Sequence, residues 1–166
     1  MYIEGETLTN RLRKGAIPLT DSLKLFESLL IVVEKLESLN IVHRDIKPDN
    51  IICSDDGSFH LIDFGIARNL NLPSLTYTAA VVGPHTPGYG APELFQYDKA
   101  SINSKADLFS VGVVVYQAIF GKHPFITGKE MDINEIWYQT VTVTPENYLI
   151  PGDRDSQLMG LIQTLM

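Results

Sequence analysis

The sequence predicts a single, mainly α domain of the α+β class, and three observations carry that expectation. Apolar residues at Leu23, Phe26, Leu29, Leu30, Val33 and Leu36 fall at the three-and-four spacing of an amphipathic helix. Between residues 107 and 120 the apolar pattern runs nearly all the way round a helix, which places that helix in the middle of a domain. Only two short β-prone runs, residues 50–53 and 59–62, break the helical periodicity, and the segment 54–58 between them has the composition of a turn.

In chain order, the first helix has Thr20 as its expected N-cap and Asp21 near the positive end of its dipole, and it leads toward His43. The two β-prone runs read as a small hairpin. Such a hairpin brings Asn50, at the end of one loop, beside Asp63, the residue just after the second strand. The apolar helix is expected to close on Gly121, before the turn made by Lys122, His123, Pro124 and Phe125. Ile133, Ile136, Trp137 and Val141 give a further amphipathic helix with Trp137 expected in the core, and Leu158, Leu161, Ile162 and Leu165 give the last. That helix reaches Met166 with no glycine, asparagine or proline to stop it, the pattern of a chain that ends inside an element.

Composition narrows the class. A chain of 166 residues with 45% hydrophobic content holds one domain with a real core, and no repeat or linker divides residues 1–166. The lone cysteine, Cys53, excludes an internal disulfide, reads as core filler, and points to a reduced, cytoplasmic compartment. A net charge of -7 without long acidic runs disfavours nucleic acid and anionic membrane as partners. The N-terminus lacks the basic and apolar stretches of a secretory signal, and the apolar run at 111–120 falls short of the roughly 18 to 20 residues that span a bilayer.

The chemistry is concentrated in three blocks. His43-Arg44-Asp45-Ile46-Lys47-Pro48-Asp49-Asn50 comes first, Asp63-Phe64-Gly65 second and Ala91-Pro92-Glu93 third. Their content and order resemble the signature set of the eukaryotic-type (Hanks-type) Ser/Thr protein kinase family. The resemblance covers nearly the whole chain and implies the large C-terminal lobe of that fold, with the hairpin carrying the catalytic and metal-binding loops and with the N-lobe absent. Phosphoryl transfer asks a protein for positioning and charge neutralisation more than for covalent chemistry. On that basis Asp45 would accept or orient the substrate hydroxyl proton, Lys47 would neutralise the moving phosphate, and Asn50 and Asp63 would offer hard oxygen ligands to Mg²⁺.

The resemblance implies further roles. Thr86 would contact Asp45 and Lys47, which together with Pro87, Gly88 and Tyr89 marks the Ser/Thr class. Ile52 would lie under the adenine of ATP, and residues 1–8 would form the hinge and the start of the next helix. His43 and Phe64 look like the lower members of a stacked apolar spine, and Asp107 like the helix residue that holds the catalytic-loop backbone. Arg44 is the position that pairs with a phosphorylated residue in many members, which makes Ser74, Thr76, Tyr77 and Thr78 candidate phosphosites. ATP and Mg²⁺ are the implied cofactors, and a protein bearing Ser or Thr the implied substrate.

The pattern also departs from the family. No glycine-rich phosphate loop, strand lysine or helix glutamate precedes His43, and the glycine-dense stretch 83–90 carries Pro84 and Pro87, which bars it from that role. Glu93 lacks the arginine that family members place beyond the last helix, since Arg154 comes before it; half of a buried ion pair left alone costs roughly 3 to 5 kcal/mol. The expectation is a lobe that is nearly inactive alone and is completed by an N-lobe or a partner chain. The alternative is a non-catalytic, kinase-like scaffold or regulatory module. The intact set of Asp45, Lys47, Asn50 and Asp63 favours the enzyme, and Thr86 with Ala91-Pro92-Glu93 favours a protein over a small-molecule substrate. Asp55 and Asp56 read as turn residues beside Gly57, and His60, His85 and His123 have no spacing that assigns them a role.

Overall fold

The computed structural model describes residues 3–65, 67–71, 86–95, 102–146, 148, 150 and 156–166. Expectations that fall on Met1, Ser74, Thr76, Tyr77, Thr78, Gly83, Pro84, His85 and Arg154 lie outside the described residues. In chain order the elements are β1 (Glu6–Thr7), α1 (Leu8–Leu12), α2 (Leu19–Ser38), β2 (Ile41–Val42), a 3-10 turn (Pro48–Asn50), β3 (Ile51–Cys53), β4 (Phe59–Leu61), β5 (Arg68–Asn69), α3 (Pro92–Phe95), α4 (Ser104–Phe120), α5 (Ile133–Thr142) and α6 (Gln157–Leu165). The fold is mainly helical, as the periodicity predicts. β1, β3 and β4 form one antiparallel sheet in the order β1-β3-β4, and β2 pairs with β5 in a second.

α4 is the centre. Val111, Val113, Val114 and Val115 are all 0% exposed, so the helix is apolar on every side because every side is covered. Val111, Val114, Val115 and Ala118 join Leu25, Leu29 and Val33 of α2 and Met159 and Ile162 of α6 in one core. Val113, Ala106 and Phe109 belong to a second cluster with Val42, Ala91, Leu94 and Phe125. Gly112 lets α6 approach closely: a Cβ there would lie 2.9 Å from Met166 Cγ and 3.1 Å from Leu165 Cβ. The helix starts at Ser104, with the Asn103 side chain accepting from Lys105 N, and it closes on Gly121 at φ 68°, as expected.

Several boundaries and faces differ from the sequence reading. α2 begins at Leu19 with Pro18 as its N-cap, so Thr20 is a helical residue and not the cap. The fixed φ of proline and the extended backbone it imposes on Ile17 set the start, which leaves the Thr20 hydroxyl no capping role. On the same helix Leu23 is 42% exposed, and Leu25 and Ser22 take the buried positions instead. Asn50 belongs to the 3-10 turn, yet Ile62 N donates to Asn50 O at 2.8 Å and extends the hairpin past β3 and β4. α5 is peripheral: only Thr140 is buried, and Trp137 is 38% exposed, which corrects its expected core position. Cys53 is a buried free thiol, as expected, and burial pushes its pKa up. Among the described residues no helix is long and apolar enough to cross a membrane.

Candidate active site

The loop from residue 43 to residue 50 starts where β2 ends and is anchored from below by α4. Asp107, in the first turn of that helix, accepts from His43 N through Oδ2 and from Arg44 N through Oδ1, each at 2.8 Å. The carboxylate is only 1% exposed, and burial pushes its pKa up to about 6 against the opposing pull of the Arg44 and His43 backbone N–H groups. This bidentate hold supports Arg44 at φ 69°, a left-handed conformation rare outside glycine. The expected role of Asp107 as the residue that holds the loop backbone is met in this geometry.

His43 is fully buried and stands edge-on to Phe64, with ring centroids 4.8 Å apart. Its Nδ1 accepts from Asp45 N at 3.3 Å, which leaves the proton on Nε2. Nε2 makes no hydrogen bond of normal geometry, although the Ile62 carbonyl lies near enough to favour the protonated ring slightly. Burial outweighs that carbonyl and the Asp45 and Asp63 charges, and holds the ring pKa below its ordinary value. The neutral ring is a packing element of the loop.

Asp45 is gripped on both oxygens. Thr86 Oγ1 donates to Asp45 Oδ1 at 2.8 Å, while Asn50 Nδ2 donates to Asp45 Oδ2 at 2.9 Å and Lys47 Nζ lies 2.9 Å from the same oxygen. Thr86 has one hydroxyl proton, so having given it to Asp45 it accepts from Lys47 Nζ at 2.8 Å. A carboxylate offers about four lone-pair sites, and these partners occupy three of them, which leaves acceptor capacity on Oδ1. The Asp45 and Lys47 side chains are 14% and 21% exposed, so the pair is shielded but reachable.

Asn50 also donates from Nδ2 to Asp45 O at 2.9 Å, and two acceptors on one nitrogen fix the amide with its oxygen turned away from Asp45. Asp63 follows Ile62, whose N–H is bonded to Asn50 O, so Asn50 and Asp63 lie at the open end of the hairpin, just outside β3 and β4. Asp63 is exposed, has φ 61°, and accepts from Gly65 N through Oδ1 at 3.0 Å. An amide oxygen and an exposed carboxylate are the donors Mg²⁺ favours when it keeps waters and phosphate oxygens as its other ligands. Those two residues therefore fit the ion. Ile52 stands in β3 between Ile51 and Cys53, both buried, so alternation points it to the opposite face of the sheet.

Thr86 owes its place to a type II turn. Pro87 supplies the fixed φ at the first central position, Gly88 supplies φ 83° at the second, and Tyr89 N donates to Thr86 O at 3.1 Å. Pro87 and Gly88 are the residues such a turn demands, although in the sequence the run stood only as a mark of the Ser/Thr class. What sequence reasoning missed is the support behind the turn: Ser110 Oγ donates to Tyr89 O at 2.8 Å, Tyr89 OH donates to Gln117 Oε1 at 2.6 Å, and the His123 ring packs on Tyr89. The seven-residue spacing of Ser110 and Gln117, two turns apart on one face of α4, was the available signal.

Comparison with known proteins gives the family. The protein kinase domain family matches residues 1–166, and the chain belongs to that family. Its relatives are serine/threonine kinases. The chain is 32% identical over 154 residues to a probable serine/threonine-protein kinase, PknB, of Bifidobacterium longum, covering 91% of this chain and 22% of that protein. It is 35% identical over 132 residues to the serine/threonine-protein kinase PknL of Mycobacterium tuberculosis (79% of this chain, 32% of the relative). It is 36% identical over 129 residues to a probable serine/threonine-protein kinase 2 of Plasmodium falciparum (75% of this chain, 24% of the relative). The chain thus spans between about a fifth and a third of the length of these relatives.

Proposed function

We propose that these residues form the catalytic C-lobe of a Ser/Thr protein kinase, which transfers the γ-phosphoryl group of ATP to a Ser or Thr hydroxyl of a protein. The observation that carries this reading is the three-way grip on Asp45 by Thr86, Lys47 and Asn50. A carboxylate held on both oxygens presents its remaining lone pair in one direction, which is what an incoming hydroxyl needs for in-line attack. Asp45 orients that hydroxyl and takes its proton. Lys47, already within hydrogen-bond reach of Asp45 and Thr86, sets a positive charge where the transferring group would pass.

Asn50 and Asp63 would hold Mg²⁺, which when bound neutralises charge on the phosphate oxygens. Ile52, half-buried on the face of β3 opposite Ile51 and Cys53, would support the adenine. These 166 residues carry no glycine-rich loop and no strand lysine ahead of His43, so on their own they should transfer phosphate slowly; an N-lobe, or a chain that supplies one, completes the site.

The test uses the protein purified from its source cells, with γ-labelled ATP, Mg²⁺ and a peptide mixture containing Ser, Thr and Tyr. Label on Ser and Thr that falls by about a hundredfold or more in Asp45→Asn supports the reading. Transfer that is absent in the parent protein, or equal in the variant, refutes it and leaves the scaffold.

A further inference from the structure

The turn that carries Thr86 is braced from two sides. α4 holds it through Ser110 and Gln117, which bond to the Tyr89 carbonyl and hydroxyl. The other brace is His123, in the turn after α4. Its Nδ1 accepts from Phe125 N and from Ile126 N, each at 3.0 Å, which fixes the ring plane and puts the proton on Nε2. The ring then stands perpendicular to Tyr89, with centroids 4.8 Å apart and planes at 89°. Its Nε2 edge rests on Gly88: a Cβ there would lie 3.0 Å from His123 Cε1, 3.1 Å from Nε2 and 2.6 Å from Ile126 Cδ1.

Capping the turn after α4 does not by itself explain this side chain. An asparagine oxygen would accept the Phe125 and Ile126 N–H groups equally well, without a ring. The histidine Nε2–H is buried and meets no acceptor among the described residues, and burial lowers the ring pKa to about 4, so the ring is neutral. What the ring adds is contact with Tyr89 and Gly88.

We propose that His123 is a positioning residue for the active site: its ring, wedged against Tyr89 and Gly88, fixes the 86–90 turn and with it the Thr86 hydroxyl between Asp45 and Lys47. The proposal rests on the reading of Thr86 as part of a phosphoryl-transfer site. The reach from His123 to the chemistry is one turn of chain, since Tyr89 N and Gly90 N both bond to Thr86 O at 3.1 Å. Those two amides report on the turn independently of any activity.

The experiment compares the protein from its source cells with His123→Asn, which keeps the acceptor and removes the ring, and with His123→Ala, which removes both. Hydrogen exchange is followed at Tyr89, Gly90, Phe125 and Ile126, and phosphoryl transfer is resolved into kcat and the KM for ATP. In His123→Asn, Phe125 and Ile126 should stay protected while Tyr89 and Gly90 exchange about tenfold faster, the size expected from losing one aromatic contact. In the same variant kcat should fall by a similar factor with the KM for ATP unchanged. His123→Ala should lose protection at all four amides. Parent-like exchange at Tyr89 and Gly90 in His123→Asn overturns the proposal, and so does faster exchange with an unchanged kcat. Faster exchange in a protein whose parent shows no Asp45-dependent transfer keeps the bracing role and refutes the kinase reading instead.

Discussion

At the scale of single residues, the site is a set of donors arranged round one carboxylate. Thr86 is the member most exposed to a clean test, because its hydroxyl both donates to Asp45 and accepts from Lys47. Thr86→Ala should lower kcat by roughly ten- to a hundredfold, as removal of a positioned hydrogen bond does, and Thr86→Ser should restore most of it in the same transfer assay. Asp63→Asn, which leaves an amide where the proposed metal site needs a charge, should raise the Mg²⁺ concentration for half-maximal transfer about tenfold in a Mg²⁺ titration. That Asp45, Lys47 and Asn50 lie together was legible because the chemistry proposed for them asks for particular residue types at short, fixed spacings. His123 was not, since Gly88 and Tyr89 meet it only in space, more than thirty positions away in the chain.

At the scale of elements, α4 does two tasks: it fills the core, and its first turn holds the catalytic loop. Asp107 is the joint between them. Asp107→Ala would strand the His43 and Arg44 N–H groups, one buried and the other partly so, at a cost of roughly 2 to 5 kcal/mol, and should lower the urea midpoint accordingly. Gly88→Ala should fail in a different way, since its Cβ would meet Ile126 Cδ1 at 2.6 Å in a backbone conformation that L residues rarely adopt. Helix existence and type were legible from periodicity, and Gly121 gave the end of α4. Starts were less so: Pro18 overrode Thr20 at α2, and Asn103 moved the start of α4 upstream of Asp107. Capping geometry depends on where the preceding chain is held, and a local pattern does not contain that.

At the scale of the whole molecule, buried ionisable groups set a pH dependence. His123 and His43 have lowered pKa values in the fold, His123 to about 4, so the stability they confer is present above their ordinary value of 6.5 and is lost as pH falls. Asp107 acts oppositely. Its pKa is raised from 3.8 to about 6, so its contribution is present at low pH and is lost as pH rises through 6. Between pH 7.5 and 5 the loss at His123, joined in direction by His43, exceeds the gain at Asp107, so stability should fall, read from urea midpoints. His123→Asn leaves His43 and Asp107 opposed, and should flatten the curve. At this scale the helical class and the central helix were legible, whereas the exposure of Trp137 was not: an apolar stripe on α5 has the same spacing whether or not another element covers it.

The most direct measurement is a double-mutant cycle on single-turnover phosphoryl transfer, with Asp45→Asn, Thr86→Ala and the two together. If Thr86 acts by holding Asp45, removing it from the Asp45→Asn protein should cost little further rate, and the pair should show a large coupling. Losses that simply multiply would mean that the two residues act independently, and would contradict the account of Asp45 as a carboxylate aimed by its partners.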